Sequence, residues 1–564
     1  MTAILKAAVF PSRFSVSSEA TAGSAESPSG TSFCQCRSFS VFSHARKADR
    51  GERERPMSIS NLDKLRKQAK QLRKLFVAGD PEAKRRVDAV LPDGELPGHS
   101  AALHVIAREQ GHESWPKLKL DLELRSIDSG QRIARLRTAL FNGQHWVVNR
   151  ILSETPELAS LDFGLQCALC DLDAVRRQLE GDPELAVTTV EGRRPLLHLA
   201  FSRRFEILPG GQELSIAVAQ ALVDAGADVN DCYAGANGNE PPLSALYGAL
   251  GHSRNLGLAE WLLENGANPD DNESLYHATE MKSLDGLRLL MRYGVSTKGT
   301  NALPRMLDFN NVAGVRLLLE YGADPNEGIA ALASGEPSFV IPALHQAARR
   351  HCGGEIIRLL LAHGANGTSL YNGHSAYALA RIYGNGAAAE ELARSGQATA
   401  LSTNEELMAQ AADGKVSGTI DKSVLSDESR RVLCRLLALR GESRMEHVKS
   451  LVAAGIDPDW TEEMGLPPVQ IAAWEGRSEA LAWLLTLSPD LAHRNRYGGD
   501  ILETVLHGSL FNPHRNERDH IGCVRLILEA GVAVPRALIG SAGSEDVADF
   551  VESWTEAHPE SIAG

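Results

Sequence analysis

The stretch that decides the fold of this chain is Val315-Arg-Leu-Leu-Leu-Glu-Tyr-Gly-Ala-Asp-Pro-Asn326. It reads as the last turns of an amphipathic helix that ends at a glycine. Gly322 stands just past the helix, where the backbone often turns left-handed and only a residue without Cβ does so at low cost. Asp324, Pro325 and Asn326 then supply the residue types of a tight polar turn.

The same motif returns along the chain, so it is the unit of a repeat. The other copies are Ala221–Asn230, Trp261–Asp270, Leu289–Gly294, Leu359–Asn366, Leu451–Asp459 and Leu526–Gly531. Glycines of the motif at positions 226, 266, 294, 322 and 364 are 40, 28, 28 and 42 residues apart. A period of about 33 residues is typical of stacked helix pairs that share one continuous core. We expect roughly eleven to thirteen such units between residue 131 and residue 556.

Composition and charge exclude several classes of protein. The 564 residues are 43% hydrophobic and 23% charged, which is typical of a globular protein. A net charge of −14 repels nucleic acid, so we expect no nucleic-acid partner. No run approaches about eighteen apolar residues, so the sequence predicts no membrane span. The eight cysteines are scattered and form no disulfide framework, which favours a reducing, cytoplasmic setting.

One segment ahead of the repeats carries a family resemblance. Residues 102–118 read Ala-Leu-His-Val-Ile-Ala-Arg-Glu-Gln-Gly-His-Glu-Ser-Trp-Pro-Lys-Leu. They resemble the segment that precedes the repeats in a group of bacterial ankyrin-repeat proteins, with His112 where phenylalanine is usual. The resemblance implies a helical N-terminal cap, because the end of a repeat array needs a polar outer face. Trp115 is then interpreted as a packing anchor.

Two further segments are similar to the ankyrin signature Thr-Pro-Leu-His-x-Ala. They read Pro-Leu-Leu-His-Leu-Ala at 195–200 and Pro-Ala-Leu-His-Gln-Ala at 342–347. Proline suits the start of the first helix, where no amide donor is needed. The resemblance implies an all-α fold, an ankyrin-repeat solenoid of helix-turn-helix units with short β-turn tips. It also implies that His198 and His345 hydrogen-bond to backbone near the adjacent repeat and are neither metal ligands nor acid–base groups.

These observations divide the chain into five predicted segments. Residues 1–56 are rich in Ser, Ala, Thr and Gly and end in a basic run. They are a disordered leader, an extension upstream of a true start at Met57, or an organellar targeting segment. The other segments are a helical N-terminal cap at 57–130, a first sub-array at 131–412, an irregular joint at 413–430, and a second sub-array with a C-terminal cap at 431–564.

The turn tips of such an array form an extended surface that is suited to protein recognition. Four aromatic residues fall at these tips among polar neighbours, namely Tyr233, Tyr371, Trp460 and Tyr497. Exposed aromatic rings of this kind are typical of binding hot spots. Such rings also pack against the next turn, and the sequence does not decide between the two interpretations.

A second candidate surface is made by insertions between the two helices of a unit. They are 203–214, 251–255 and 509–520, and they project from one edge of the array, where partners often bind. His514 and Arg515 in the last insertion are therefore further candidate partner contacts. The densest group of metal-capable side chains lies here too, comprising Glu503, His507, His514, Asp519 and His520. An enzyme or metal-dependent module is therefore an alternative, although the spacings match no zinc motif.

Catalytic motifs are missing from the sequence. There is no P-loop, nucleophile elbow or zinc-protease helix, and Cys167 and Cys170 have CxxC spacing without a second pair. We interpret both cysteines as small core residues. We therefore predict a non-catalytic scaffold or adaptor that needs no cofactor or metal and binds a protein partner of basic character. A secreted effector acting on host proteins is a further alternative.

Overall fold

The computed structural model describes residues 57–91, 98–234, 242–329, 340–439, 441, 444–539 and 542–563. The predicted leader at residues 1–56 lies outside the described residues. The described chain forms two compact units, one up to Arg305 and the other from Met306 onward. Each unit consists of short helices that are joined by tight turns, and the predicted all-α ankyrin-repeat fold is confirmed.

The first unit begins with the helices of the predicted cap and continues with helix pairs. Its helices are α1 (Met57–Val77), α2 (Pro81–Asp88), α3 (His99–Glu109), α4 (Trp115–Leu124), α5 (Ser129–Phe141), α6 (His145–Glu154), α7 (Phe163–Ala168), α8 (Leu172–Gly181), α9 (Pro195–Ala200), α10 (Gly211–Asp224), α11 (Ala245–Tyr247), α12 (Leu256–Glu264), α13 (Ser274–Ala278) and α14 (Asp285–Arg292). A π-helical segment, Gly248–Ser253, continues α11, and 3₁₀ turns lie at Pro156–Ser160, Pro183–Ala186 and Arg204–Ile207.

The boundary between the units falls within α15 (Ala302–Asp308), and the second unit continues the pairs. Its helices are α16 (Val312–Tyr321), α17 (Ala343–Arg349), α18 (Gly354–Ala362), α19 (Ala376–Ile382), α20 (Gly386–Arg394), α21 (Thr403–Ala412), α22 (Asp427–Arg430), α23 (Val432–Ala438), α24 (Met445–Ala453), α25 (Pro468–Trp474), α26 (Ser478–Leu485), α27 (Ile501–Phe511), α28 (His520–Glu529) and α29 (Glu545–Ala557). The 3₁₀ turns are Lys422–Val424, Arg515–Glu517, Arg536–Leu538 and Pro559–Ser561.

The helix ends follow from residue types that the sequence displays. Second helices of several pairs begin where an Asp or Asn side chain accepts an N–H of the first helical turn, which caps the helix. These capping residues are Asp171, Asn255, Asn311, Asn385 and Asp519. At the other end, Gly322 ends α16 with a φ of +107°, and no atom lies within 4 Å of the position its Cβ would occupy. Gly322 is therefore required by the backbone conformation and not by crowding.

The polar end of the repeat motif after α16 binds the tip of the next repeat. The Asp324 carboxylate accepts the Asn326 N–H at 2.8 Å, which holds the turn. The Asn326 side chain then donates to the Gly364 carbonyl at 2.9 Å and accepts the Asn366 N–H at 2.8 Å. We call this pair of contacts the Asn clip. Because Gly364 and Asn366 belong to the next copy of the motif, the clip joins neighbouring repeats.

The first unit contains the same clip. Asn230 donates to the Gly266 carbonyl at 3.2 Å and accepts the Asn268 N–H at 2.8 Å, while Asp228 accepts the Asn230 N–H at 2.8 Å. The terminal Asn of the motif therefore has the same neighbour-binding role in both units.

The predicted N-terminal cap is built around a buried aromatic residue. Trp115 is 7% exposed and packs into an apolar cluster formed by α1 to α4, so its interpretation as a packing anchor is confirmed. Leu120 and Leu124 of α4 belong to a second cluster with Leu136 and Leu140 of α5. The core therefore continues from the cap into the first helix pair.

Strands in the described part of the chain are short pairs. They are β1 (Cys232–Tyr233) with β2 (Leu243–Ser244), β3 (Leu370–Tyr371) with β4 (His374–Ser375), and β5 (Val534–Pro535) with β6 (Ile562–Ala563). The first two pairs are antiparallel and precede α11 and α19, where the sequence predicts β-turn tips. The third pair is parallel.

The repeat pattern is interrupted after α21. This helix contacts α19 and α24, but the next α-helix among the described residues is the one-turn α22. The intervening chain, where the sequence predicts an irregular joint at 413–430, consists of turns and the 3₁₀ segment Lys422–Val424. The division of the repeats into two sub-arrays at this joint stays a prediction.

Candidate functional site: the repeat tips

Tyr233, the first predicted partner contact, lies in β1 between two neighbouring tips. The Arg193 guanidinium carbon lies 4.2 Å from the centre of the Tyr233 ring, and Arg193 also donates to the tyrosine hydroxyl at 2.9 Å. The Phe201 ring meets Tyr233 edge-on at 5.4 Å. Tyr233 is half-buried, so its ring packs within the tip and also reaches the surface.

A polar cavity of about 420 Å³ opens beside this tyrosine, between the tips that precede α9 and α11. It is lined by Thr189, Gly192, Arg194, Asp228, Asn230, Asp231, Cys232, Tyr233 and Ala234. Arg194 Nη1 donates to Asp231 Oδ1 at 2.5 Å. The other carboxylate oxygen of Asp231, Oδ2, is buried and has no hydrogen-bond partner among the described residues. Burial raises the pKa of Asp231, and the ion pair with Arg194 opposes that shift.

The other three aromatic candidates lie in the second unit. Tyr371 is half-buried in β3, and its ring centre is 5.8 Å from that of His345. Trp460 and Tyr497 are also half-buried, and the Tyr497 hydroxyl has no hydrogen-bond partner within the described ranges. Burial and the charge of Glu462 raise the pKa of Tyr497. The role of these rings in partner binding stays a prediction.

Carboxylates accompany the aromatic rings in this part of the second unit. Asp457 and Asp459 follow the motif glycine of their repeat, and Asp457 accepts the Asp459 N–H at 3.0 Å. Burial, together with the negative charges of Asp457 and Asp490, raises the pKa of Asp459. This tip therefore carries a concentration of negative charge next to Trp460.

Both signature histidines bond to backbone as the resemblance implies, but only His345 reaches the adjacent repeat, whereas His198 bonds within its own. His345 Nε2 lies 3.1 Å from the Ser369 carbonyl oxygen and 3.2 Å from that of His374, both in the tip of the following repeat. His198 Nε2 is 2.9 Å from the Val190 carbonyl oxygen, in the tip of its own repeat. Burial lowers the pKa of both imidazoles to about 4. Both rings therefore stay neutral near pH 7, and each donates a hydrogen bond to a backbone carbonyl oxygen.

The histidines of the C-terminal insertion do not converge on one point. His507 packs its ring against Trp474 and Phe511, at centroid distances of 5.3 and 4.6 Å, and His520 Nε2 lies 3.1 Å from the Trp474 carbonyl oxygen. His514 is half-buried, and Arg515, in the 3₁₀ turn, is exposed. No group of three or more His, Cys, Asp or Glu residues in the described chain is placed to hold a metal ion. The hypothesised zinc cluster is therefore not assembled, because the rings of His507 and His520 are used in packing and backbone bonding.

The CxxC pair is part of the core, as the sequence predicts. Cys167 and Cys170 are buried free thiols, and burial raises the pKa of Cys170 to about 12. Cys170 has a φ of +58° at the turn position that a glycine occupies in other repeats. Neither thiol is available as a nucleophile or metal-binding thiolate near pH 7.

The sequence did not reveal a buried ion cluster in the second unit. Glu428 of α22 is 2% exposed and accepts from Arg435 Nη1 at 2.5 Å, with Arg349 Nη1 at 3.4 Å. The Tyr383 hydroxyl donates to the same carboxylate at 3.2 Å. Burial alone would raise the pKa of Glu428, but the two arginines lower it to about 2. These side chains come from α17, α22, α23 and the end of α19, and no motif connects them in the sequence.

The helix pairs and their clipped tips define an ankyrin-repeat fold. No family model and no curated protein matches the chain. Among solved structures, it is similar to the human ASB11 ankyrin repeat domain, with a TM-score of 0.22 and 15% identity, covering 44% of this chain and 95% of that chain.

Two other solved structures show a comparable level of similarity. One is the Bd0816 predatory endopeptidase from Bdellovibrio bacteriovorus in complex with the immunity protein Bd3460, with a TM-score of 0.20, 18% identity, and coverage of 40% of this chain and 97% of that chain. The other is the ankyrin repeat domain of Bcl-3, with a TM-score of 0.19, 18% identity, and coverage of 42% and 94%. None of the helices in the described ranges is long and apolar enough to cross a bilayer.

Proposed function

We propose that this protein is a non-catalytic scaffold that binds a protein partner through its repeat tips. The observation that carries the proposal is the Asn clip, which fixes two of the tips to the tips that follow them by side-chain hydrogen bonds at Asn230 and Asn326. A surface that is ordered before binding loses less conformational entropy when a partner docks. Half-buried aromatic rings on such a surface supply contact area at a low entropic cost.

The charge of the tips favours a basic partner. Asp228 and Asp231 lie beside Tyr233, and Asp457 and Asp459 lie near Trp460 in sequence and in the same tip. With a net charge of −14 on the whole chain, these carboxylates attract a positively charged surface and repel an acidic one. We also propose a bacterial origin and a cytoplasmic location, the second supported by the free thiols found throughout the described chain.

The test is affinity capture from native lysate with the full chain, followed by mass spectrometry and by binding assays with the purified partner. The tip variant combines Asp457→Asn and Asp459→Asn, which keep the shape of the side chains and remove their charge. The insertion variant combines His514→Ala and Arg515→Ala. We expect a defined partner that binds the wild type and the insertion variant and is captured at least about tenfold less by the tip variant.

Two other outcomes would contradict the proposal in different ways. A partner lost only by the insertion variant would move the site to the edge made by residues 509–520. Failure to capture any partner with the wild-type chain would remove the support for a scaffold. Circular dichroism and thermal unfolding of both variants serve as the control for folding.

A further inference from the structure

Asp231 lines the cavity beside Tyr233, and one of its carboxylate oxygens is unpaired within the described ranges. Asp231 is 4% exposed, and its Oδ2 atom has no hydrogen-bond partner among the described residues. Its other oxygen accepts from Arg194 at 2.5 Å. An unpaired buried acceptor destabilises the protein, so a ligand that brings a donor to Oδ2 is favoured.

The charges around the cavity favour a donor that is a cation. Asp228 and Asp231 both line it, and the guanidinium of Arg194 is already engaged by Asp231 Oδ1. The exposed carboxylate of Asp228 uses Oδ1 to accept the Asn230 N–H at 2.8 Å. A positively charged group in the cavity would form charge-assisted hydrogen bonds with these carboxylates, and such bonds are stronger than neutral ones.

The wall of the cavity also suits a guanidinium or ammonium group. Arg193, which is not among the lining residues, lies against the Tyr233 ring at 4.2 Å and against the Phe201 and Phe141 rings at 5.2 and 5.5 Å. The tip thus already stabilises one guanidinium through aromatic rings. The cavity volume of about 420 Å³ lies within the range of roughly 300–1,000 Å³ that is usual for small-ligand sites.

We infer that this cavity, here called the tip socket, binds one lysine or arginine side chain of the protein partner. The inference rests on the proposed function, because the side chain belongs to the partner of the scaffold. Asp231 Oδ2 and the Asp228 carboxylate accept from the cation, and Tyr233 and Thr189 form the walls beside it.

The reactivity of Cys232 can report whether the tip socket is occupied. It lines the cavity and is exposed, whereas the other free cysteines within the described residues are buried. The experiment treats the full chain with iodoacetamide and follows the alkylation of Cys232 by peptide mass spectrometry. The probes are acetyl-Gly-Arg-Gly-amide, its lysine counterpart, and its citrulline counterpart, which has nearly the same shape as arginine and no charge.

We expect the arginine or the lysine peptide to slow alkylation of Cys232 in a saturable manner, by at least about fivefold, and the citrulline peptide to have at least about tenfold lower apparent affinity. Asp228→Asn keeps an oxygen that accepts the Asn230 N–H. It should lower the apparent affinity of the cationic peptide, measured by protection of Cys232, at least about tenfold. The matched control is Asp324→Asn in the second unit, where the same carboxylate accepts the Asn326 N–H at 2.8 Å. It should leave the protection of Cys232 unchanged.

Each other outcome has a definite meaning. Equal protection by the arginine and citrulline peptides, no protection by any peptide, or protection that Asp228→Asn leaves intact would overturn the socket. A captured partner that binds wild type and Asp228→Asn equally would overturn the socket and leave the scaffold proposal standing. Protection of Cys232 by a cationic peptide without any captured partner would support the socket and count against the scaffold.

Discussion

Two regions of the second unit hold neighbouring repeats together by different physical means. At the tip after α16, Asn326 forms two neutral hydrogen bonds to the backbone of the next repeat. Near the joint, Glu428 is buried between Arg349 and Arg435, which lie on other helices. The tip contact is exposed, local and repeated, whereas the ion cluster is buried and occurs at one place. Beyond the apolar core, the regular tips are thus joined by small polar contacts, whereas the irregular segment contains one buried ion cluster.

The largest effect is expected at the cluster. Glu428→Gln removes the negative charge that Arg349 and Arg435 share, so the free energy of unfolding should fall by about 3–5 kcal/mol. Urea titration followed by tryptophan fluorescence measures this loss. Asp427→Asn, at an exposed neighbouring position of the same helix, is the control and should change stability by less than about 0.5 kcal/mol. A loss below about 1 kcal/mol for Glu428→Gln would show that the cluster does not hold the joint.

As the pH falls, protonation of His345, which bonds to the next tip, should lower the stability of the fold before protonation of Glu428 does. The folded-state pKa of His345 is lowered to about 4 from an ordinary value of 6.5, so the unfolded chain binds this proton first and stability falls between pH 6.5 and 4. The pKa of Glu428, lowered to about 2 from 4.5, causes loss only between pH 4.5 and 2. The contribution of His345 is on the order of 3 kcal/mol.

The measurement for this prediction is the unfolding free energy at a series of pH values, for the wild type and for His345→Gln. Glutamine retains an N–H donor and does not titrate, so the variant should lose less stability than the wild type from pH 6.5 to 4. Parallel curves for the two proteins in this range would mean that the tip histidine does not contribute to acid sensitivity.

A smaller loss is expected when the Asn clip is removed. Asn326→Ala deletes two hydrogen bonds to exposed or half-exposed backbone, and we expect a loss of about 1–2 kcal/mol. Asn230→Ala is the matched change in the first unit and should cost about the same, because its two bonds have similar geometry. Native-state hydrogen exchange of the Asn366 and Asn268 amides reads out each clip separately. Unchanged exchange at these amides would contradict the clip.

The smallest effect concerns the glycine that ends α16. Gly322→Ala adds a methyl group in open space but at a φ of +107°, so the expected loss is about 1 kcal/mol, from backbone conformation alone. Gly386→Ala, at the start of α20, also meets no atom within 4 Å and has no positive φ, and it should be neutral or slightly stabilising. Equal thermal midpoints for the two variants would argue against the left-handed turn as the reason for the glycine.

The regular repeats could be predicted from sequence because their contacts are encoded close together. Gly322, Asp324 and Asn326 form one short motif, and each residue has the conformation or turn role that its type suggests. His198 and His345 likewise follow from a short signature. The neighbour-binding role of Asn326 was less visible, because its partners lie 38 and 40 residues away and are backbone groups.

The buried ion cluster around Glu428 could not be predicted, because its residues do not form a motif of regular spacing in the sequence. Arg349 and Glu428 are 79 residues apart, and each reads alone as an ordinary charged surface residue. The insertion at 509–520 is the opposite case, because nearness in sequence alone suggested a metal site as an alternative. The chain there turns between α27 and α28, and His507 and His520 both contact Trp474. Of the residues of the tip socket, the sequence indicated only Tyr233, because no feature of the sequence marks Asp231 as buried.

The spacing of the Asn clip has a consequence for how this chain can be lengthened by gene duplication. A cassette cut from a clip asparagine to the residue that it binds in the next repeat, such as residues 230–268, carries the groups that bind its neighbour, so a tandem copy forms its own junctions. A cut anywhere between residues 349 and 435 separates Glu428 from at least one of its arginines. Repeats outside this block can therefore be copied or deleted one at a time, whereas the block itself must be inherited whole.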